Sequence, residues 1–157
     1  MMNSMQKITP FLWFDDKAEE AMHFYDSIFK DSKIEGVSRL PDGRAMSVTF
    51  ELHGQRFIAL NGGPHYKFTE AFSVFVNCES QEEVDELWEK LCSDGGQPGR
   101  CGWLKDKFGL SWQIVPSVLP KLLGHPDPAT AMRVRNAMFK MTKLDIQALE
   151  RALDSTV

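Results

Sequence analysis

The chain has 157 residues and a formal net charge of −4, with 43% apolar and 25% charged residues, a composition typical of one globular domain. No stretch approaches the ~18 consecutive apolar residues of a membrane span, and the first residues lack the apolar run of a signal peptide, so we expect a cytoplasmic protein. The acidic balance disfavours nucleic acid and anionic membranes as partners, because both are bound by clustered Lys and Arg.

An internal repeat organises most of the chain. At an offset of 63 residues, residues 19–21 lie over residues 82–84, with two carboxylates and one apolar side chain in each copy. An apolar run at 8–14 or 71–77 precedes each copy, and apolar residues at helical spacing follow it. We therefore predict a β-strand followed by an amphipathic helix in both copies.

Capping patterns mark where these two helices begin. Ser80-x-x-Glu83 is a capping box, in which a hydroxyl accepts from an early backbone N–H while the carboxylate reaches back. Asp16-x-x-Glu19 is its weaker counterpart in the first copy.

Further strands follow each helix. The first copy predicts strands at 33–40, 45–52 and 55–61, the last two joined by a His53-Gly54 turn. The second predicts a Gly/Pro-containing strand region that reaches 101–105 and a last strand at 110–116. Each half therefore reads β-α-β-β-β. The predicted class is α+β, with module one at about 6–61 and module two at about 71–116.

The remaining residues predict a helical tail. Asp127-Pro128 offers an N-cap for a helix at about 129–141, and Thr142-x-x-Asp145 opens a second helix. We accordingly assign 1–123 to the domain and 124–157 to a helical C-terminal extension. Methionines at 132, 138 and 141 form an adaptable contact surface, either for packing on the same domain or for a partner.

No strong catalytic or metal-binding motif is found in the sequence. Glycine-rich phosphate loops, HExxH and GxSxG are all missing, and the three cysteines form no CxxC pair. Those cysteines indicate reduced thiols rather than a disulfide framework or a zinc site. Among the histidines, His65 is the candidate for catalysis, because it follows Gly62-Gly63-Pro64 in a loop positioned to close over a pocket.

Two predicted strands combine polar and aromatic residues on one face. Thr9 and Trp13 share a face of the first strand by alternation, as Ser111 and Gln113 do on the last. Such a face is typical of a mostly apolar pocket with a few polar anchors. A sheet core with incidental polar positions explains the pattern equally well.

In its longest motifs the sequence resembles the vicinal-oxygen-chelate superfamily of glyoxalase I, extradiol dioxygenases and bleomycin- and fosfomycin-resistance proteins. It is most similar to the PhnB-like, 3-demethylubiquinone-9 3-methyltransferase-like branch. The motifs are Ile8-Thr9-Pro10-Phe11-Leu12-Trp13-Phe14, Leu60-Asn61-Gly62-Gly63-Pro64 and Cys101-Gly102-Trp103-Leu104-Lys105-Asp106-Lys107-Phe108-Gly109-Leu110-Ser111-Trp112-Gln113-Ile114-Val115-Pro116. This resemblance implies tandem βαβββ modules that form a curled, cup-shaped mixed sheet, usually in a homodimer.

The resemblance also implies where a metal would be bound in metal-dependent relatives. The four inward strand positions fall near Thr9, Asn61, Phe72 or Ser73, and Gln113. None is His, Asp or Glu, the side chains that bind divalent ions well, so we predict no metal at this site. The methyltransferase label would call for a glycine-rich strand–helix loop for S-adenosylmethionine, which is missing, so we predict no cofactor.

We therefore predict a metal-independent protein that binds an unidentified small molecule. The predicted ligand-binding residues are Thr9, Trp13, Asn61, Ser73, Trp103 and Gln113. One alternative is an enzyme that uses the same cup, as an isomerase, lyase or methyltransferase, with His65 as its base. Another is an interaction module with an occluded cup, whose methionine-bearing tail makes the contacts.

Overall fold

The computed structural model describes residues 6–154, which divide into two compact units with the boundary between Phe68 and Thr69. The first unit contains β1 (Phe11–Phe14), α1 (Ala18–Ile28), β2 (Ser32–Arg39), β3 (Ala45–Leu52) and β4 (Gln55–Asn61). The second contains β5 (Ser73–Cys78), α2 (Gln81–Leu91), β6 (Gln97–Pro98), β7 (Trp103–Lys105), β8 (Ser111–Pro116), α3 (Val118–Leu123), α4 (Pro128–Phe139) and α5 (Ile146–Asp154). None of the helices in the described range is long and apolar enough to cross a membrane.

Both units use the same sheet plan. The strand orders are β1-β4-β3-β2 and β5-β8-β7-β6, and in each sheet the first pair is parallel and the others are antiparallel. A parallel pair needs a crossover connection, which the helix supplies. The predicted α+β class with tandem βαβββ modules and a helical tail is confirmed.

Each helix packs on one face of its own sheet. In the first unit this face buries alternate residues of three strands against α1, namely Leu12, Phe14, Val48, Phe50, Leu52, Phe57 and Ala59. In the second unit Leu104, Trp112, Ile114 and Cys78 are buried on the face toward α2. The opposite face of each sheet, which points away from α1 or α2, is called the far face below. Alternation along the strands assigns residues to it.

Strand bounds differ from prediction most at the first strand, which begins at Phe11 rather than at residue 8. Strands β5 and β7 each begin two residues later than predicted, at Ser73 and Trp103. Pro10 has no N–H to donate to a neighbouring strand, and only its carbonyl is used, accepting from the N–H of Ile58. Strands β3 and β4 have the predicted bounds. His53 and Gly54 form the turn between them with φ of +48° and +79°.

The two helices begin differently. As predicted, Ser80 caps α2, because its Oγ accepts from the N–H of Glu83 at 3.1 Å. The predicted cap at Asp16 is wrong: the residue before α1 is Lys17, which makes no side-chain cap. Instead the N–H of Ala18 donates to Asn61 Oδ1 at 2.8 Å, so the end of β4 caps the helix from across the sheet.

The tail packs on the second unit. Val115, at the end of β8, shares a buried apolar core with Leu119, Val134, Leu144 and Leu149. Asp127 caps α4 as predicted, by accepting from the N–H of Ala129 and the hydroxyl of Thr130. Helix α3 is not among the predicted elements, and α5 is capped by Asp145 rather than by Thr142, because Asp145 Oδ1 accepts from the N–H of Ala148. The tail therefore belongs to its own chain's fold.

Candidate functional site

The far face of the second sheet brings three of the predicted ligand-binding residues together. Gln113, in β8, lies opposite Phe75 of β5 and opposite Trp103 of β7. Its Nε2 donates to Ser73 Oγ at 3.0 Å, which fixes the direction of the amide. The arrangement is a polar pair between two aromatic side chains, the composition expected of a ligand-binding surface.

Charge on this face is balanced. Lys105, the residue of β7 opposite Ser111, forms an ion pair with Glu70. The hydrogen bond from Lys105, with its positive charge, holds the pKa of the Glu70 carboxyl below its usual range. Both side chains are about half exposed, at 43% and 59%, so this pair contributes little to stability. The remaining polar groups of the face are neutral.

The tail closes one end of this face. Val115 follows Gln113 by two residues and therefore shares its face by alternation, yet it is buried within the core of the tail helices. The tail also bonds to the segment before Trp103, because the N–H groups of Cys101 and Gly102 donate to the carbonyls of Met141 and Thr142. Ligand access to the face is thus limited at the Val115 end.

In the first unit, a glycine loop folds over Trp13. The indole N–H donates to the Gly63 carbonyl at 2.9 Å, and the ring meets Tyr66 edge-on with centroids 4.9 Å apart. Gly62 packs so closely that a Cβ there would lie 2.3 Å from the Trp13 ring. Trp13 lies opposite Leu60 in the register and so shares the far face of the first sheet with it. The nitrogen of its ring is already engaged by the protein.

Asn61 lies on the other face of that sheet. It lies four residues after the buried Phe57 and two after the buried Ala59, so alternation puts it on their face, where it reaches the start of α1. Its Oδ1 accepts from Ala18 as described above, and its Nδ2 donates to the Ala45 carbonyl at 3.0 Å. The structure therefore separates Asn61 from Trp13 and gives both ends of its amide a backbone partner.

The other two predicted residues flank the first sheet. Thr9 is half-buried and lies two residues ahead of β1. His65 is exposed in the loop that covers Trp13, where its ring is 3.6 Å from the position that a Cβ on Gly63 would take. Catalysis by His65 stays a prediction.

The residues present do not fit a divalent metal ion. The predicted metal positions hold neutral hydroxyl, amide or aromatic side chains, and such groups bind divalent ions poorly without carboxylate or imidazole partners. Within residues 6–154, no three His, Cys, Asp or Glu side chains come together as a possible metal site. The groups at the predicted metal positions therefore suit hydrogen bonding rather than metal coordination.

Phe75 is a site residue that sequence reasoning missed. It is 49% exposed, which is unusual for phenylalanine in the middle of a strand. Its position two residues after Ser73 was the available signal, since alternation puts both on one face.

Comparison with known proteins identifies the family. The family model for 3-demethylubiquinone-9 3-methyltransferase matches residues 6–115. A structure described as a putative 3-demethylubiquinone-9 3-methyltransferase, PhnB protein, from Bacillus cereus is 39% identical, covers 71% of this chain and 100% of its own, and has a TM-score of 0.67. No curated protein sequence gives a significant match.

Two more distant structures share the fold. A protein from Pseudomonas aeruginosa is 18% identical over 71% of this chain and 98% of its own, with a TM-score of 0.60. A fosfomycin resistance protein from Listeria monocytogenes, solved with Mn(II) and sulfate, is 16% identical over 78% and 98%, with a TM-score of 0.55. The chain thus belongs to the PhnB-like, 3-demethylubiquinone-9 3-methyltransferase family of the vicinal-oxygen-chelate fold.

Proposed function

We propose that this chain is a small-molecule-binding protein whose ligand occupies the far face of the second sheet. The observation that carries the proposal is the bond from Gln113 Nε2 to Ser73 Oγ, made between Phe75 and Trp103. After that bond Gln113 still has its Oε1 acceptor and one N–H, and Ser73 still has its hydroxyl hydrogen. These groups orient a polar atom of the ligand, while the two aromatic rings contact its apolar part.

The proposed binding is independent of a metal and of a cofactor. The neutral donor set supports this, because hydroxyl and amide groups form good hydrogen bonds but poor divalent-ion sites. Contact of Thr9 and Trp13 with a ligand is a separate prediction for the first unit. For Asn61, whose amide is held by Ala18 and Ala45, we propose a positioning role in the first sheet. We further propose a cytoplasmic homodimer, which light scattering and cell fractionation test.

Native mass spectrometry of the freshly purified protein tests the proposal. We expect a retained small molecule in the wild type and its loss in Gln113→Ala. Gln147→Ala, which changes an exposed glutamine of α5, is the matched control and should retain the compound. Where nothing is retained, the same three proteins are compared by thermal shift in a small-molecule library. Compounds that stabilise the wild type and Gln113→Ala equally would contradict a site at Gln113.

A further inference from the structure

One hydroxyl on the far face of the second sheet has no hydrogen-bond partner. Ser111 is 0% exposed, and its Oγ makes no hydrogen bond within the described part of the chain. Buried hydroxyl groups are normally hydrogen-bonded, since burial removes their bonds to water. In residues 6–154 the other such atom is Arg56 Nε, but it lies 2.9 Å from Glu35 Oε2 and is compensated by charge. Ser111 has no such compensation.

The position of Ser111 connects it with the proposed site. It is the first residue of β8, directly opposite Ser73 of β5 on one side and Lys105 of β7 on the other. Gln113 follows by two residues and therefore lies on the same face. Ser73, Ser111 and Gln113 thus form a row of neutral hydrogen-bonding groups beside Phe75 and Trp103.

Resting on the function proposed above, we propose that Ser111 is a further ligand-binding residue and that the ligand is an uncharged aromatic compound with a hydroxyl group. A hydroxyl on the ligand both donates and accepts, as the Ser111 hydroxyl and the Gln113 amide do. The aromatic ring fits beside Phe75 and Trp103. A charged ligand is disfavoured, because it would lose its hydration beside the side chains of Ser73, Ser111 and Gln113, which are all neutral.

Because Ser111 is fully buried, ligand binding to it requires movement of the side chains around it. Lys105 of β7 lies opposite Ser111 of β8, and its ion pair with Glu70 is about half exposed and therefore weak. Movement of this side chain is consequently inexpensive. Ligand binding then gives the Ser111 hydroxyl the partner that it lacks in the free protein.

Three fluorinated probes of one ring size test the proposal by ¹⁹F NMR titration: 4-fluorophenol, fluorobenzene and 4-fluorobenzoate. We expect the wild type to bind 4-fluorophenol most tightly. Ser111→Ala should weaken that binding about tenfold, the effect of ~1.4 kcal/mol, and leave fluorobenzene binding within about twofold. Its melting temperature should stay the same or rise, because the unpaired hydroxyl is removed. Ser117→Ala, just after β8, is the control and should match the wild type in probe binding.

Four results would overturn the proposal. Failure of the wild type to prefer 4-fluorophenol contradicts the ligand class. A lower melting temperature of Ser111→Ala with unchanged 4-fluorophenol binding assigns the hydroxyl to the fold. Weaker binding in Gln113→Ala but not in Ser111→Ala removes only Ser111, whereas unchanged binding in both variants also contradicts the proposed function.

Discussion

Replacing Asn61 with alanine removes the side chain that joins three elements of the first unit. Its two hydrogen bonds, to Ala18 and to Ala45, are partly buried and measure 2.8 and 3.0 Å. A hydrogen bond of this kind contributes about 1 kcal/mol net, so we expect the free energy of unfolding to fall by about 2 kcal/mol. For a chain of this length that corresponds to a melting temperature lower by about 4–8 °C.

Two further variants show which bond is responsible. Asn61→Asp keeps an acceptor for the first N–H of α1, where a negative charge is also favourable, but it loses the donor to Ala45. Its melting temperature should therefore fall between those of the wild type and Asn61→Ala. Asn77→Ala, at an exposed asparagine of β5, is the control and should change stability by no more than about 0.5 kcal/mol.

Thermal and urea unfolding followed by circular dichroism measure these effects. The reasoning is refuted if the melting temperature of Asn61→Ala lies within about 1 °C of that of the wild type, which is a quarter of the smallest expected shift. Loss of the retained ligand in Asn61→Ala at unchanged stability would be a second refutation, because it would restore Asn61 to the ligand-binding set.

Four more outcomes are expected. Gly62→Ala should destabilise the chain by about 1–3 kcal/mol in urea unfolding, because its Cβ would lie 2.3 Å from Trp13. Gln81→Ala should speed hydrogen exchange at the start of α5, because the Gln81 side chain accepts from the Ile146 N–H at 2.8 Å. At pH 8 iodoacetamide should label Cys78 far more slowly in the folded than in the urea-unfolded chain, since burial raises the pKa of this thiol to about 12 and leaves about one in ten thousand ionised. Because the folded chain holds the Cys78 thiol protonated to a higher pH than the unfolded chain does, the free energy of unfolding should fall as the pH rises from 9.0 towards about 12.

The sequence was sufficient to predict the two modules because local patterns decide them. Alternation of apolar residues along β3 and β4, with a tight turn between them, gave both strands their observed bounds. The Ser80 cap was equally local, lying three residues from its partner. The cap of α1 is not local, because Asn61 lies 43 residues from Ala18 and only the folded sheet brings the two residues together. A short pattern search cannot find such a partner.

The site was harder to predict because it depends on strand faces. Helices α1 and α2 begin 63 residues apart, as the repeat indicates. The loop before α1 has one residue more than the loop before α2, so the strands align at an offset of 64, with buried Phe14 matching buried Cys78. At the offset of 63, exposed Phe75 was matched with buried Leu12. One residue exchanges the two faces of a strand, which is why Phe75 was overlooked.

A difference of one residue also explains why the first sheet offers no metal ligand from β4. The resemblance puts an inherited ligand position near Asn61, but the register assigns Leu60 to the face that carries Trp13. Leucine has no donor atom, while the Asn61 amide is held on the opposite face by Ala18 and Ala45. A carboxylate placed at 61 would keep the acceptor for α1 but lose the donor to Ala45, and it would not reach the face of Trp13. A carboxylate at 60 would reach that face and leave the helix cap intact, so position 60 is where a metal ligand would have to be introduced.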